Sequence, residues 1–162
     1  MNPVAIAILS YVTLERLFEL WLSRRNTSAL LAKGAREHAR GHYPLIVAVH
    51  VVWLGTLWAV APWRAVDPFW LALYALLQVA RAWVITSLGP RWTTRIIVPQ
   101  ERSLVAAGPY RLIRHPNYWV VAGEIAVLPL VFALPWAALA FTILNAAVLW
   151  VRIRAEDRAL GR

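Results

Sequence analysis

Five long apolar runs, separated by short blocks of positive charge, constrain this chain more than any other feature. They extend from about Pro3 to Leu22, Pro44 to Ala61, Phe69 to Leu88, Tyr118 to Leu134 and Trp136 to Val151. A helix crossing a hydrocarbon core of about 30 Å needs roughly 20 residues, so the first three runs suffice and the last two are short. The last two form a tight hairpin broken at Pro135. Apolar residues make up 60% of the chain, against about 45–50% in an ordinary soluble domain. The reading is an all-α integral membrane bundle of about five helices, one membrane domain over residues 1–162. Residues 1–88 supply a three-helix part, and residues 89–162 a loop and the hairpin. Asn2 and Pro3 stand where a signal peptide has a basic segment, so the first run is expected to be a retained helix.

The charges give an orientation. Of 17 lysines and arginines, all but Arg16, Arg64 and Arg81 fall after the first, third or fifth run, and positive residues near helix ends stay cytosolic. The N-terminus and the Pro135 turn are therefore expected outside and the C-terminus in the cytosol. Trp63, Trp70 and Trp136 would mark the outer interface, and Trp21, Trp92, Trp119 and Trp150 the inner one. The formal charge of +9 is explained by topology and anionic lipid, not by nucleic acid. No cysteine is present, which removes thiolate chemistry, and His38, His42 and His50 are too scattered for a metal site, so none is expected. A surface helix is expected from Thr27 to Ala39, punctuated by Gly34.

Ionisable residues inside a span are functional suspects. Here they are Glu15, Arg16, Glu19, Arg81 and Glu124. The first three suit an interhelical ion cluster, with Arg81 either joining it or snorkelling to the interface. Glu124 lies seven residues after Asn117, on one helical face. Asn145, Leu149, Arg152 and Glu156 are spaced four, three and four, a second stripe at matched depth. Antiparallel neighbours would face these stripes across a polar pocket, the loop Gly108-Pro109-Tyr110-Arg111-Leu112-Ile113-Arg114-His115 forming its mouth.

Gly108-Pro109-Tyr110, Arg114-His115-Pro116-Asn117-Tyr118, and Arg152-Ile153 followed by Glu156-Asp157, with Gly89, Arg91 and Trp92 upstream, resemble the isoprenylcysteine carboxyl methyltransferase family of membrane enzymes. Residues 14 to 50, with Glu15-Arg16-Leu17, Glu19, Arg25-Asn26 and Gly41-His42-Tyr43-Pro44, resemble a short bacterial subgroup associated with type III polyketide synthases, which methylates alkylpyrones or phenolic lipids. The resemblance implies S-adenosylmethionine as cofactor and a lipophilic acceptor, with His115, Tyr118 and Glu156 contacting the cofactor. The residues themselves add Tyr110 for the adenine and Pro116, Asn117 and Asn145 in the same cofactor pocket, and give Arg152, Glu124 and Glu156 as the catalytic set. Arg152 suits an anionic acceptor oxygen, and Glu124 or His115 could take a proton from a phenol. Val120 stands where the family has a small residue, and the tail expected beyond Asp157 in prenylcysteine enzymes is not seen, which favours the polyketide lipid over the prenylcysteine. A noncatalytic transporter or assembly subunit is the reading of another class. The arginine-rich, lysine-poor balance suits a GC-rich bacterial genome, so the expected location is a bacterial inner membrane, with the charge-based topology turning the active site to the cytosol.

Overall fold

The computed structural model describes residues 1–38, 41, 43–98 and 107–160; of the residues named above, Ala39 and His42 lie outside them, as do Arg40, Arg102 and Arg162 of the basic blocks. Five helices form the molecule: α1 Pro3–Ala32, α2 Tyr43–Val60, α3 Pro68–Leu88, α4 Pro116–Val131 and α5 Pro135–Leu160. Two three-residue strands, β1 Arg36–His38 and β2 Ile96–Val98, pair antiparallel with Glu37 opposite Ile97. The segments Tyr43–Trp63, Pro68–Arg91 and Pro135–Ala159 are long and apolar enough to cross a membrane.

Caps fix which ends lie together. Asn2 Oδ1 accepts from the amides of Val4 and Ala5, the first-turn donors that a helix leaves free, and Pro3 opens the helix without needing a donor. The Asn2 side-chain amide then donates to the Arg64 carbonyl at 2.9 Å, tying α1 to the α2–α3 connection. Asp67 caps α3 in the same way, and its own amide donates to the Val131 carbonyl at the end of α4. Asn2, Arg64, Asp67 and Val131 thus mark one end of an up-down bundle. The basic segments gather at the other.

The core between the helices is built from Leu9 and Val12 of α1, Trp53 and Leu57 of α2, Ile125 and Leu128 of α4, and Ala137 and Phe141 of α5. Outward, Phe18, Trp21, Val51, Phe69, Leu76, Val79, Trp119 and Ile143 are exposed. A continuous apolar exterior of this kind is a surface for lipid.

Three expectations are corrected. Thr27 to Ala32 continue α1 instead of opening a surface helix; Gly34, at φ 83°, then turns the chain into β1. The fifth helix is not short, because Arg152 to Leu160 prolong it by more than two turns. The hairpin turn lies at Phe132 to Leu134, with Ala133 at φ 53°, and Pro135 begins α5. Proline at that position starts the helix since the amide it lacks has no acceptor there.

Candidate functional site

At the basic end, His115 precedes Pro116, the first residue of α4, and makes no cap with its side chain, so the imidazole is free to face α5. Its Nε2 lies 3.3 Å from Asp157 Oδ1 and its Nδ1 4.0 Å from Glu156 Oε1. The ring stacks on Tyr118, centroids 5.4 Å apart and planes at 19°. Tyr118 donates its hydroxyl to Glu156 and accepts from Arg152 Nε at 2.8 Å. Arg152 also donates through Nη1 to the Thr94 carbonyl at 2.7 Å, with its guanidinium carbon 5.4 Å from the Tyr118 ring centroid. Tyr110 lies in the one-turn helix Gly108–Arg111, near enough to Glu156 to feel its charge. Gly108, at φ 53°, lies so close to α3 that a Cβ there would stand 2.2 Å from Ser87 Oγ. Burial, and then the charge of Glu156, push the Tyr110 phenol above its ordinary range.

The segment after α3 is part of this construction, and sequence reasoning missed how it is held. Asn26 donates to the carbonyls of Gly89 and Trp92, Ser23 accepts from the Thr94 amide at 2.8 Å, and Tyr43 and Thr94 share a hydroxyl contact of 3.2 Å. These bonds aim the Thr94 carbonyl at Arg152. The available signal is spacing: Ala5, Leu9, Val12, Arg16, Glu19, Ser23 and Asn26 repeat four and three apart along α1, so the polar members continue the core stripe.

Tyr118 and Arg152 also form one end of a cavity of about 230 Å³ inside the bundle. Leu20 of α1, Val47 and Leu54 of α2, Val121 of α4 and Leu149 of α5 give it apolar walls, while Asn117 lines it with a buried Oδ1 that lacks a hydrogen-bond partner. Leu17 and Val51 line the cavity and yet are 58% and 63% exposed, so it opens sideways toward lipid at the seam of α1 and α2.

The expected site residues therefore divide. Tyr110, His115, Tyr118, Arg152 and Glu156 come together, Pro116 is buried beneath them and Asn117 faces the cavity. Asn145 is buried in α5, two turns from Arg152. Glu124 is turned elsewhere: its Oε2 accepts from Arg16 and Arg81, each at 2.7 Å, and its Oε1 from Gln78 at 2.9 Å. The buried Arg81 of α3 and the half-buried Arg16 of α1 take this carboxylate in place of the α5 stripe. The facing stripes expected across α4 and α5 are thus replaced by a Tyr118–Arg152–Glu156 contact, with Glu124 in a separate ion cluster. Arg81, 5% exposed, is a member of that cluster and does not snorkel.

The family model of the isoprenylcysteine carboxyl methyltransferase (ICMT) family matches residues 70–162. An uncharacterized protein of Bacillus subtilis, YpbQ, is 36% identical over 158 residues, 94% of each chain. An uncharacterized protein of Haemophilus influenzae is 26% identical over 152 residues, 90% of this chain and 88% of its own. No solved structure gives a significant match. With more than half its length under the family model, and its helices apolar on the outside, this chain belongs to the isoprenylcysteine carboxyl methyltransferase family and is an integral membrane methyltransferase dependent on S-adenosylmethionine.

Proposed function

We propose that the chain transfers a methyl group to an oxygen of a lipophilic acceptor, favouring a polyketide-derived hydroxypyrone or phenolic lipid, with a type III polyketide synthase as the source of that acceptor. The observation that carries this reading is the two-sided position of the Tyr118–Arg152 pair. On one side lie an imidazole, two carboxylates and Tyr110; on the other lies an apolar cavity open toward lipid.

The polar side suits S-adenosylmethionine. Its ammonium and ribose hydroxyls are donors, and the carboxylates of Glu156 and Asp157 are acceptors of the right charge. Tyr110 and His115 offer ring faces to an adenine. When bound, the cofactor supplies a methyl carbon open to in-line displacement and leaves as a neutral thioether. This chain's task is then to align the acceptor and exclude water, and alignment alone can supply about 7–11 kcal/mol. Arg152 holds the acceptor oxygen: both its hydrogen bonds are to neutral oxygens, so its charge is left to pair with an oxygen gaining negative character. The apolar walls hold the alkyl chain, at about 0.8 kcal/mol per buried CH₂.

Purified protein with labelled S-adenosylmethionine tests this. Long-chain hydroxypyrones or alkylresorcinols should be methylated faster than N-acetyl-farnesylcysteine. Preference for the farnesylcysteine would replace the polyketide lipid by a prenylcysteine carboxylate as acceptor. A chain that binds no S-adenosylmethionine by calorimetry would instead be a noncatalytic member of the family.

A further inference from the structure

The ion cluster in the membrane interior has an odd charge count. Glu19 accepts from both Arg81 and Arg16, and Glu124 also accepts from both, so two carboxylates and two guanidiniums close a neutral ring. Glu15 stands outside it. Its Oε1 is 4.0 Å from Arg81 Nε, its Oε2 is 3.7 Å from Arg16 Nη2, and Oε2 is buried with no hydrogen-bond partner. Tyr11 of α1 and Tyr74 of α3 are its other titratable neighbours, and His50 of α2 faces the two arginines and Glu124. Tyr74, only 3% exposed, also keeps a hydroxyl without a partner beside the ring. Three carboxylates against two guanidiniums packed between helices is a costly imbalance that salt-bridge glue does not require.

The cluster also forms part of the cavity. Arg16, Glu19 and Arg81 line the same space as Tyr118 and Arg152. Glu19 is one turn along α1 from Ser23, about 6 Å along the helix axis, and Ser23 holds Thr94, whose carbonyl accepts from Arg152. An acceptor arriving through the bilayer arrives neutral, because an anion is far costlier in hydrocarbon. It therefore carries its hydroxyl proton into the cavity and must lose it there.

We propose that this cluster is the proton acceptor of methyl transfer, with Glu19 the catalytic base in the cavity wall and Glu15 a positioning residue that acts as reserve counter-charge. The inference rests on the reading of the acceptor as a lipophilic hydroxyl. In the step, the acceptor O–H bond breaks as its oxygen bonds the methyl carbon, the carbon–sulfur pair stays on sulfur, and the proton passes to a Glu19 oxygen. Arg81 Nε then turns from Glu19 to Glu15 Oε1, 4.0 Å away, so neither guanidinium is left short of a carboxylate. Without Glu15, protonating Glu19 would strand a buried positive charge.

The test compares the parent with Glu15→Gln and Glu15→Asp in lipid nanodiscs, using an alkylresorcinol and S-adenosylmethionine from about pH 6 to about pH 10.5, a range that brackets the neutral and the ionised phenol. Glu15→Gln should lower kcat by about 100-fold near neutrality, the size of a general-base contribution, with cofactor affinity unchanged. Its rate should climb with pH as the medium deprotonates the acceptor, and Glu15→Asp should recover most of the loss. Parent-like kcat and an unaltered pH profile in Glu15→Gln would overturn the proposal. Infrared difference spectra of the protein without acceptor give an independent readout. The parent should show a carboxylic-acid band that titrates and that Glu15→Gln abolishes; a parent with no such band overturns proton uptake by the cluster. If no hydroxylated lipid is methylated at all, the acceptor reading falls, and the infrared titration still decides whether the cluster takes a proton.

Discussion

Replacing Arg152 by lysine separates charge from geometry at the junction of the two halves of the site. Arg152 donates to Tyr118 Oη at 2.8 Å and to the Thr94 carbonyl at 2.7 Å, from nitrogens held in one rigid plane. Lysine keeps the positive charge but presents it as a point on a flexible stem, so it can reach one of these acceptors and not both in the same pose. A hydrogen bond from a charged group contributes about 1.5–3 kcal/mol. At about 1.36 kcal/mol per tenfold, Arg152→Lys should lower kcat/KM for the acceptor by roughly 10- to 150-fold. Arg152→Ala removes the charge as well and should lose a further factor of order 10²–10³, as deletion of a group stabilising a developing anion does. The assay is kcat/KM for a long-chain hydroxypyrone at saturating labelled S-adenosylmethionine, with cofactor affinity measured in parallel to show that the polar mouth persists. If Arg152→Lys stays within about threefold of the parent, the fork is not what holds the acceptor oxygen, and the role given to Arg152 is refuted.

His115→Ala and Glu156→Ala should each weaken S-adenosylmethionine binding by at least about tenfold in calorimetry, with little loss of thermal stability, because both side chains sit at an open mouth where truncation removes little packing. Tags at the N-terminus and near Pro135 should be reached from outside the cell, and tags after Lys33, after Glu101 or at Arg162 only from the cytosol; a cytosolic N-terminus would refute the charge-based orientation. Val47→Phe places a ring in a cavity of about 230 Å³ and should shift preference toward acceptors with shorter alkyl chains, read as a changed ratio of kcat/KM across a chain-length series.

The helices were legible because hydropathy and charge blocks report on the bilayer directly, and every backbone polar group inside it must be satisfied within a helix. The mouth of the site was legible for a related reason: His115, Tyr118, Arg152 and Glu156 lie near helix ends, where local spacing decides which side chains can meet. What failed was partner choice deep in the bundle. Glu124 shares a face with Asn117 in sequence, yet helical spacing says nothing about which neighbouring helix that face meets. Burial made the outcome one-sided, since Arg16 and Arg81 left without carboxylates would be far costlier than Asn145 left without Glu124. The α1 stripe was overlooked because its lower half is polar. Reading Glu19, Ser23 and Asn26 as a continuation of Leu9 and Val12 needs the stripe to change solvent from lipid-buried core to loop clamp within one helix.

The two halves of the chain carry different parts of the chemistry. Residues 70–162, matched by the family model, hold Tyr110, His115, Tyr118, Arg152 and Glu156, the groups assigned to the cofactor and to the acceptor oxygen. The apolar walls facing α1 and α2, the lateral opening at Leu17 and Val51, and the base and reserve carboxylate at Glu19 and Glu15 all lie before residue 70. On the proposed assignment, the groups for methyl donation lie in the half under the family model, while the proposed base and the lateral opening lie in the helices before it. Arg81 and Glu124 tie the halves together, since each pairs across to α1 from within the matched region. Acceptor preference should then follow the α1–α2 wall and its ion partners, and relatives that keep the His115 to Tyr118 motif but alter positions 15, 19 and 81 should methylate acceptors that arrive already ionised.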